Sequence, residues 1–393
     1  MDDLARLLKD AGDTQLSTLS TLFDLSKDED RNTVTSLMAS GSIRRVSDDY
    51  REQQLELFGI KNPALVYTPD FKTQFGTYFD SFGDTLRHGR WVYFPWLSAL
   101  SHVLPEDDFY AVRTARNMNL ITADEQKRFY SASIGIAGLS VGSSVAFAIA
   151  LQGGGRHMKI ADMDRLALTN TNRILSGVTE LGELKVHMAA RRIYEMNPYA
   201  SVEVFTDGLQ EESISDFFEG LDIVIDEIDN LAVKCLIREE ARKRRIPVLM
   251  AADNGDNAVV DIERYDLDPE TPFFHGRMGD VSYAMLRGLD KFETGRLITK
   301  LVGPENVTER MQESLMEMGK TIVSWPQLGG AAMINGAAVA YCARKVLTGE
   351  SLENNRALIS LDEKLIPAWG TPEESARRLN VARSFAKKFN IDL

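Results

Sequence analysis

The sequence predicts an α/β protein with a doubly wound, Rossmann-like sheet, preceded by a helical N-terminal region. Two observations carry this prediction. From about residue 109 onward, short apolar runs alternate with helix-like runs, which is the pattern of parallel strands joined by crossover helices. Before that point, amphipathic helical pieces around residues 4–8 and 16–25 are followed by an aromatic stretch. A chain of 393 residues has room for two or three subdomains.

The α/β unit is predicted to span residues 109–265. Its predicted strands lie at 133–138, 158–161, 202–205, 222–225 and 248–251. Its predicted helices lie at 143–151, 185–196, 214–218 and 231–244. Strands and helices therefore alternate through the whole unit.

Three further regions surround this unit. The helical N-terminal region covers residues 1–108 and contains an aromatic stretch at 71–96. The end of this stretch, 91–96, is predicted either to pack the region onto the next domain or to form a binding surface. Residues 266–330 contain many turn signals and are predicted to be a crossover or lid region. Residues 331–393 are predicted to complete the domain with helices.

Composition and charge limit the functions that the chain can have. Hydrophobic residues make up 44% of the chain and charged residues 26%, close to the average of globular proteins. The formal net charge of −13 argues against general nucleic-acid binding, because neutralising phosphates requires a basic face. The sequence shows neither a signal-peptide pattern nor an apolar stretch long enough to span a membrane. A cytoplasmic protein without membrane contact is expected.

The loop between the first strand of the unit and its helix is the first motif with chemical meaning. Backbone N–H groups at a helix N-terminus can receive a phosphate, so Gly138, Ser140 and Gly142 are candidate nucleotide contacts. Ser140 and Ser143 stand where a dinucleotide-binding fingerprint has its second and third glycines. The alternative interpretation is a tight strand-to-helix turn without a ligand.

A cluster of polar residues follows this loop. Asp162 ends the second strand, where Rossmann-type folds place an acidic residue on ribose hydroxyls, and Asp164 belongs to the same acidic cluster. Asn170 and Arg173 lie three residues apart, so a helical turn would direct both to shared phosphate oxygens. Lys185 opens a helix and can hold a phosphate as a point charge. The alternative for Arg173 and Lys185 is a solvated basic face.

A second acidic cluster follows the strand at 222–225. Asp229 is the candidate Mg²⁺ ligand, because Mg²⁺ prefers one or two carboxylates together with phosphate oxygens. Asn230 is predicted to cap the following helix. Asp226 is either structural or a further contact to ligand or metal. The two clusters together predict a site for ATP and Mg²⁺.

These residues, in this order and at this spacing, resemble the ThiF family. That family includes the adenylating domains of ubiquitin-activating enzymes and of the molybdopterin and thiamine sulfur-carrier activators, and the resemblance covers about residues 113–265. The string TNTNR at 169–173 and the DxxDN pattern at 226–230 are also similar to TcdA-type, ATP-dependent dehydratases. Strings such as GRWVYFPW at 89–96 and WPQL at 325–328 resemble a less characterised bacterial branch with an N-terminal helical extension.

The resemblance implies a set of ligand contacts that agrees with the residue types. It places Asp162 on the ribose, Asn170, Arg173 and Lys185 on the phosphates, and Asp229 on Mg²⁺. It also implies that Arg116 reaches the γ-phosphate from the other subunit of a homodimer. This last role comes from the resemblance alone.

The chain departs from the sulfur-carrier and ubiquitin activators in its cysteines. Cys235 and Cys342 are the only two, both lie in helix-like runs, and the crossover region has no cysteine for a thioester. Both are predicted to be small buried thiols. In the crossover region, His275 is a candidate general base and Arg277 a candidate ligand of a substrate carboxylate, the alternative being a structural role in the loop.

The hypothesis that best unites these features is a homodimeric, ATP- and Mg²⁺-dependent adenylyltransferase. It would activate a carboxylate of a peptide, a carrier protein or a small acid as an acyl-adenylate and pass it directly to a nucleophile. Three alternatives stay open: an ATP-dependent cyclodehydratase of the TcdA or peptide-natural-product type, a non-catalytic nucleotide-binding partner subunit, and a dinucleotide-dependent oxidoreductase. The retained Arg116, Arg173, Lys185 and Asp229 argue against the second, and the serines at glycine positions argue against the third.

Overall fold

The structure of the protein is a computed structural model that describes residues 18–391, apart from the side chains of Lys291 and Phe292. The segment predicted around residues 4–8, and the first two residues of the one predicted at 16–25, lie outside the described residues. The chain divides into two compact units, Met1–Ala123 with Ala190–Tyr199 and Asp124–Ala189 with Ala200–Leu393.

The first unit contains a four-stranded sheet as well as helices, so the prediction of a helical region is incomplete. The sheet has the order β1-β3-β4-β2, with β1 at Thr21–Phe23, β2 at Arg45–Asp48, β3 at Arg90–Phe94 and β4 at Ala99–Val103. The helices of the unit are Asp28–Ala39, Tyr50–Lys61, Phe71–Asp80 and Glu106–Arg113. Strands of three to five residues are too short to give a clear two-residue periodicity.

The aromatic stretch 91–96 contributes to the interior of this first unit. Trp91 is buried on β3 and packs in one apolar cluster with residues of β1, β4 and the helix Asp28–Ala39. Trp96 donates its indole N–H to Glu195 Oε1 at 2.6 Å, within the same unit. Because Trp91 is buried in this cluster, it belongs to the interior of the first unit and not to a binding surface.

The second unit contains a seven-stranded sheet of order β11-β10-β9-β8-β5-β6-β7. Its strands are β5 (Ser133–Ala137), β6 (His157–Ala161), β7 (Ser201–Phe205), β8 (Ile223–Asp226), β9 (Val248–Asn254), β10 (Asn257–Glu263) and β11 (Asn355–Ile359). Strands β5 to β9 pair in parallel, whereas β10 is antiparallel to both β9 and β11. All five predicted strands are present, which confirms the doubly wound sheet. Strand β11 lies in the region predicted to be helical.

Helices cover this sheet. Those that lie wholly or partly in the second unit are Ala123–Ser131, Gly142–Leu151, Lys185–Met196, Ile214–Phe218, Leu231–Arg244, Tyr283–Leu286, Lys291–Val302, Glu309–Glu317, Gly329–Thr348, Leu361–Leu365 and Pro372–Lys388. Helix Gly329–Thr348 packs against β9, β10 and helix Gly142–Leu151. Within the described part of the chain, no helix is long and apolar enough to cross a membrane.

The strand order reverses between β5 and β8. From β5 the chain builds outward to β6 and β7, and it then returns to β8 and β9 on the other side. Open α/β sheets bind their ligands at the carboxyl ends of the strands at such a point. The loops that follow β5 and β8 therefore define the place where a ligand is expected.

Candidate functional site

The loop after β5 begins at a position that only glycine can occupy without strain. Gly138 has a φ of +85°, and its N–H donates to Ala161 O at 2.8 Å. A Cβ at this position would lie 2.4 Å from the carbonyl oxygen of Glu227, which belongs to the loop after β8. The two loops therefore approach each other more closely than any side chain would allow.

Replacing Gly138 by alanine is expected to lower the free energy of unfolding by about 2 kcal/mol or more, since the left-handed conformation and the contact with Glu227 both oppose a Cβ. Gly220→Ala is the matched control, because Gly220 also has a positive φ, of +72°, but no atom within 4 Å of a Cβ. The control is expected to lose only about 1 kcal/mol. Urea unfolding of both variants measures the difference, and equal losses would contradict the crowding argument.

Asp162, directly after β6, forms hydrogen bonds with the loop after β5 and with its own segment. Its Oδ2 accepts a hydrogen bond from the Leu139 N–H at 2.7 Å, and its Oδ1 accepts one from the Asp164 N–H at 2.8 Å. Burial raises the pKa of Asp162, against the effect of the nearby Lys185 ammonium. The carboxylate predicted to bind ribose thus also orients the backbone of the loop predicted to bind phosphate.

Lys185 begins the helix Lys185–Met196, as predicted, and its side chain is only 6% exposed. Its Nζ lies 2.8 Å from Asp164 Oδ2 and 3.9 Å from Asp162 Oδ2. Because the ammonium is buried against two carboxylates, it does not belong to a solvated basic face. The three side chains form one charged cluster after β6.

Arg173 connects the loop after β6 to the loop after β5. Its Nε–H donates to Ser140 Oγ at 3.0 Å. Burial lowers the pKa of Arg173, and the carboxylates of Asp229 and Asp253 act in the opposite direction. Asn170 is used differently, since its Oδ1 accepts the Ala167 N–H at 3.0 Å within its own turn. Although Asn170 and Arg173 are three residues apart in the sequence, their side chains therefore do not contact the same residues.

The second acidic cluster divides into an exposed and a buried part. Asp229 is exposed, and Asn230 Oδ1 accepts the N–H groups of Ala232 and Val233, which confirms the predicted helix cap. Within residues 18–391, no group of three or more His, Cys, Asp or Glu side chains could hold a metal. Asp229 could therefore bind Mg²⁺ only together with phosphate oxygens, and not in a site made of protein side chains alone.

Asp226, left open by the sequence, is a structural residue. It is fully buried and lies 2.5 Å from Arg238 NH1 and 3.2 Å from Lys234 Nζ. Burial raises its pKa, but the two cations outweigh this and hold the pKa of Asp226 below its usual value. Both of its oxygens are occupied by the protein itself, and it does not line the adjacent cavity.

A cavity of about 270 Å³ opens beside Ser140 and Asp229. Four polar residues in its wall were not predicted from the sequence: Glu227, Lys234, Asp253 and Gln327. Burial raises the pKa of Asp253 to about 6 and that of Glu227 well above its usual value. The signal that points to Asp253 is its position just after the predicted strand 248–251, the same position that singled out Asp162 and Asp229.

The structure does not bring His275 and Arg277 to this cavity. His275 Nε2 lies 3.3 Å from Asp261 Oδ1. Arg277 NH2 lies 2.8 Å from Glu305 Oε1, and its Nε–H donates to Lys300 O. Neither residue lines the cavity beside Asp229. His275 contacts strand β10, and Arg277 contacts other residues of the crossover region.

Arg116 is exposed on the turn Ala115–Asn117 of the first unit, so its role towards a second subunit stays a prediction.

Cys235 and Cys342 are buried free thiols, as expected. Burial raises the pKa of Cys235 to about 12 and that of Cys342 to about 11.

Comparison with known proteins finds relatives of this chain. "Uncharacterized protein MT1398" of Mycobacterium tuberculosis is 38% identical over 288 residues, which are 72% of this chain and 40% of that protein. A tRNA threonylcarbamoyladenosine dehydratase of Haemophilus influenzae is 30% identical over 176 residues, 42% of this chain and 67% of the relative. The chain thus spans well under half of the length of the first of these relatives.

Among solved structures, that of Escherichia coli MccB with ATP is similar at a TM-score of 0.46 and 18% identity, over 66% of this chain and 77% of that one. This likeness concerns the fold alone. The sequence profile of the ThiF family matches residues 114–364, more than half of the 393 residues. The protein therefore belongs to the ThiF family.

Proposed function

We propose that this chain is an ATP- and Mg²⁺-dependent adenylyltransferase, which activates a carboxylate as an acyl-adenylate and releases pyrophosphate. The observation that carries the proposal is the contact of Arg173 with Ser140 beside Asp229, where the strand order reverses. A guanidinium, a glycine-rich loop and an exposed carboxylate next to one cavity are the groups that a triphosphate with Mg²⁺ requires.

Each residue has a part in the proposed reaction. Asp162 orients the loop after β5 and accepts the ribose, while Arg173, Lys185 and the loop N–H groups hold the phosphates. Asp229 would hold Mg²⁺, whose chemistry is to neutralise the phosphate charge. The substrate carboxylate then attacks the α-phosphorus and pyrophosphate leaves, so the protein acts by positioning and by compensating charge. The exposed Arg116 is proposed to serve the site of a second subunit.

The activated acyl group is proposed to pass directly to a nucleophile rather than to a cysteine. A thiolate is the reactive form of cysteine, and burial keeps both thiols protonated at neutral pH. We expect neither Cys235 nor Cys342 to react with a disulfide reagent in the native protein, and both to react after denaturation. Thiol titration with and without guanidinium measures this. Rapid modification of native Cys235, together with loss of activity in Cys235→Ala, would contradict the direct-transfer proposal.

The proposed activity is tested in two steps. Titration calorimetry first measures the binding of ATP with Mg²⁺, and ATP–pyrophosphate exchange then tests peptides, carrier proteins and small acids as carboxylates. Exchange with one class identifies the substrate. Binding of ATP without exchange for any class favours a non-catalytic partner subunit, and tight NADH binding without ATP binding favours an oxidoreductase.

A second candidate function is an ATP-dependent cyclodehydratase. The observation in its favour is the TNTNR loop together with the identity of 30% to the Haemophilus influenzae dehydratase. The chain with ATP would then convert tRNA threonylcarbamoyladenosine into a product that has lost one water, which mass spectrometry of the nucleosides detects. The net charge of −13 weighs against a tRNA substrate, because RNA binding depends on a basic surface.

A further inference from the structure

The cavity beside Asp229 contains two carboxyl groups that form no ion pair with any of the described residues, Asp253 and Glu227. Asp253 is 7% exposed, and its oxygens accept hydrogen bonds from the side-chain amides of Gln327 and Asn335. Glu227 is 8% exposed, and its Oε1 accepts the Ala251 N–H at 2.9 Å. Among the described residues nothing bonds the second oxygen of Glu227. Neutral amides hold both groups in place without compensating their charge.

The cations close to this cavity are already engaged. Among the described residues that line it, Lys234 is the only cationic one, and its Nζ lies 3.2 Å from Asp226 Oδ1. Arg173 interacts with Asp253 from outside the lining, but it is the group that we propose to hold the phosphates. Buried carboxylates without a partner are costly, so a ligand that supplies a positive charge would be stabilised here.

The remaining walls of the cavity are apolar. They include the large side chains of Leu231, Met250, Ile298, Leu301, Val302 and Trp325. Such walls favour an aliphatic group. A volume of about 270 Å³ suits a small acyl group.

We propose that the carboxylic acid activated at this site is an apolar amino acid, whose free ammonium group binds Asp253 and Glu227. The inference rests on the proposed adenylation and names its substrate class. The aliphatic side chain would pack against Leu231, Ile298 and Leu301. A peptide with an acylated nitrogen offers only a neutral N–H to the two carboxyls, so its hydrogen bonds to them would be weaker than those of an ammonium group.

The titration of Asp253 supports this assignment. Its pKa is raised chiefly by burial, and a bound ammonium would lower it by favouring the charged form. Arg173 and Asp229 are the charged groups that act on Asp253. The affinity for an amino-bearing ligand is therefore expected to be full above about pH 7 and to fall as the pH drops through the pKa of Asp253, about 6.

Three stable mimics of an acyl-adenylate test the proposal. They are sulfamoyladenosine conjugates of leucine, of 4-methylpentanoic acid, which lacks only the amino group, and of N-acetylleucine. Calorimetry at about pH 7.5 is expected to show the leucine conjugate binding at least about tenfold more tightly than the other two. In Asp253→Asn this preference is expected to disappear while the affinity for the 4-methylpentanoyl conjugate is kept.

Asp256→Asn is the matched control, because Asp256 is exposed on the same hairpin and does not line this cavity. It is expected to keep the preference for the leucine conjugate. Equal binding of the leucine and 4-methylpentanoyl conjugates, or tighter binding of the N-acetyl conjugate, would overturn the inference and leave the proposed function intact. Failure of ATP and all three conjugates to bind would overturn both.

Discussion

Replacing Arg173 by alanine is expected to weaken the binding of ATP with Mg²⁺ about a hundredfold. The guanidinium is partly buried and donates to Ser140 Oγ, so it is already oriented towards the loop that would receive the phosphates. Its removal takes away a charge-assisted contact and leaves Asp229 and Asp253 without their nearest shared cation. Titration calorimetry with ATP measures the loss.

Two further variants make this result interpretable. Arg128→Ala removes an exposed arginine of the same unit and is expected to leave ATP binding unchanged. Arg173→Lys is expected to fall between the wild type and Arg173→Ala, since a single ammonium cannot hold Ser140 and a phosphate with the same fork geometry. Unchanged ATP binding in Arg173→Ala would remove the main support of the proposed site.

Replacing Arg238 by methionine is expected to lower the free energy of unfolding by about 3 to 5 kcal/mol. Arg238 is fully buried, with NH1 2.5 Å from Asp226 and NH2 2.7 Å from Glu263. Its guanidinium also stacks on the Phe274 ring, 3.8 Å from the centroid. Without Arg238, Glu263 would lose its ion pair and Asp226 would keep only that with Lys234. Desolvated unpaired charges are among the most costly defects in a fold.

The loss of Arg238 is also expected to destabilise part of the crossover region. Glu263 accepts the Tyr265 hydroxyl and the Phe274 N–H, both at 2.7 Å, so the ion pair also holds the turn Phe273–Gly276. Urea unfolding followed by circular dichroism measures the stability. Lys243→Met on the same helix is the control, because its side chain is 72% exposed and its loss is expected to change stability by less than about 0.5 kcal/mol. A loss below about 1 kcal/mol in Arg238→Met would contradict the assigned role.

The secondary structure of the second unit could be predicted because each parallel strand is a short apolar run bounded by polar residues. Strand β8, buried along its whole length, is the clearest case. Strand β10 was missed, since Asp261 and Glu263 interrupt its apolar pattern and yet are fully buried. Their burial depends on Arg356 and Arg238, which lie far away in the sequence.

The candidate site was predictable to a similar extent. Position after a strand was enough to select Asp162 and Asp229, and the start of a helix was enough to select Lys185. Position after a strand also points to Asp253, but it could not show that Asp253 and Glu227 share a cavity whose other walls include residues 298–302 and 325–327. His275 met the chemical criteria for a general base, but its contact with Asp261 depends on the local backbone of the turn.

By itself the sequence determined the doubly wound sheet, the family and the polar residues that gather at the carboxyl ends of its strands. Only the tertiary structure decided which of these carboxyls are paired with cations of the protein and which are exposed or without an ion pair. Asp226 and Asp229 are three residues apart, yet one is buried between two cations and the other is exposed beside a cavity. The physical reason is that the free energy of a charge depends on its burial and on its nearest partners, and folding brings these together from distant parts of the chain.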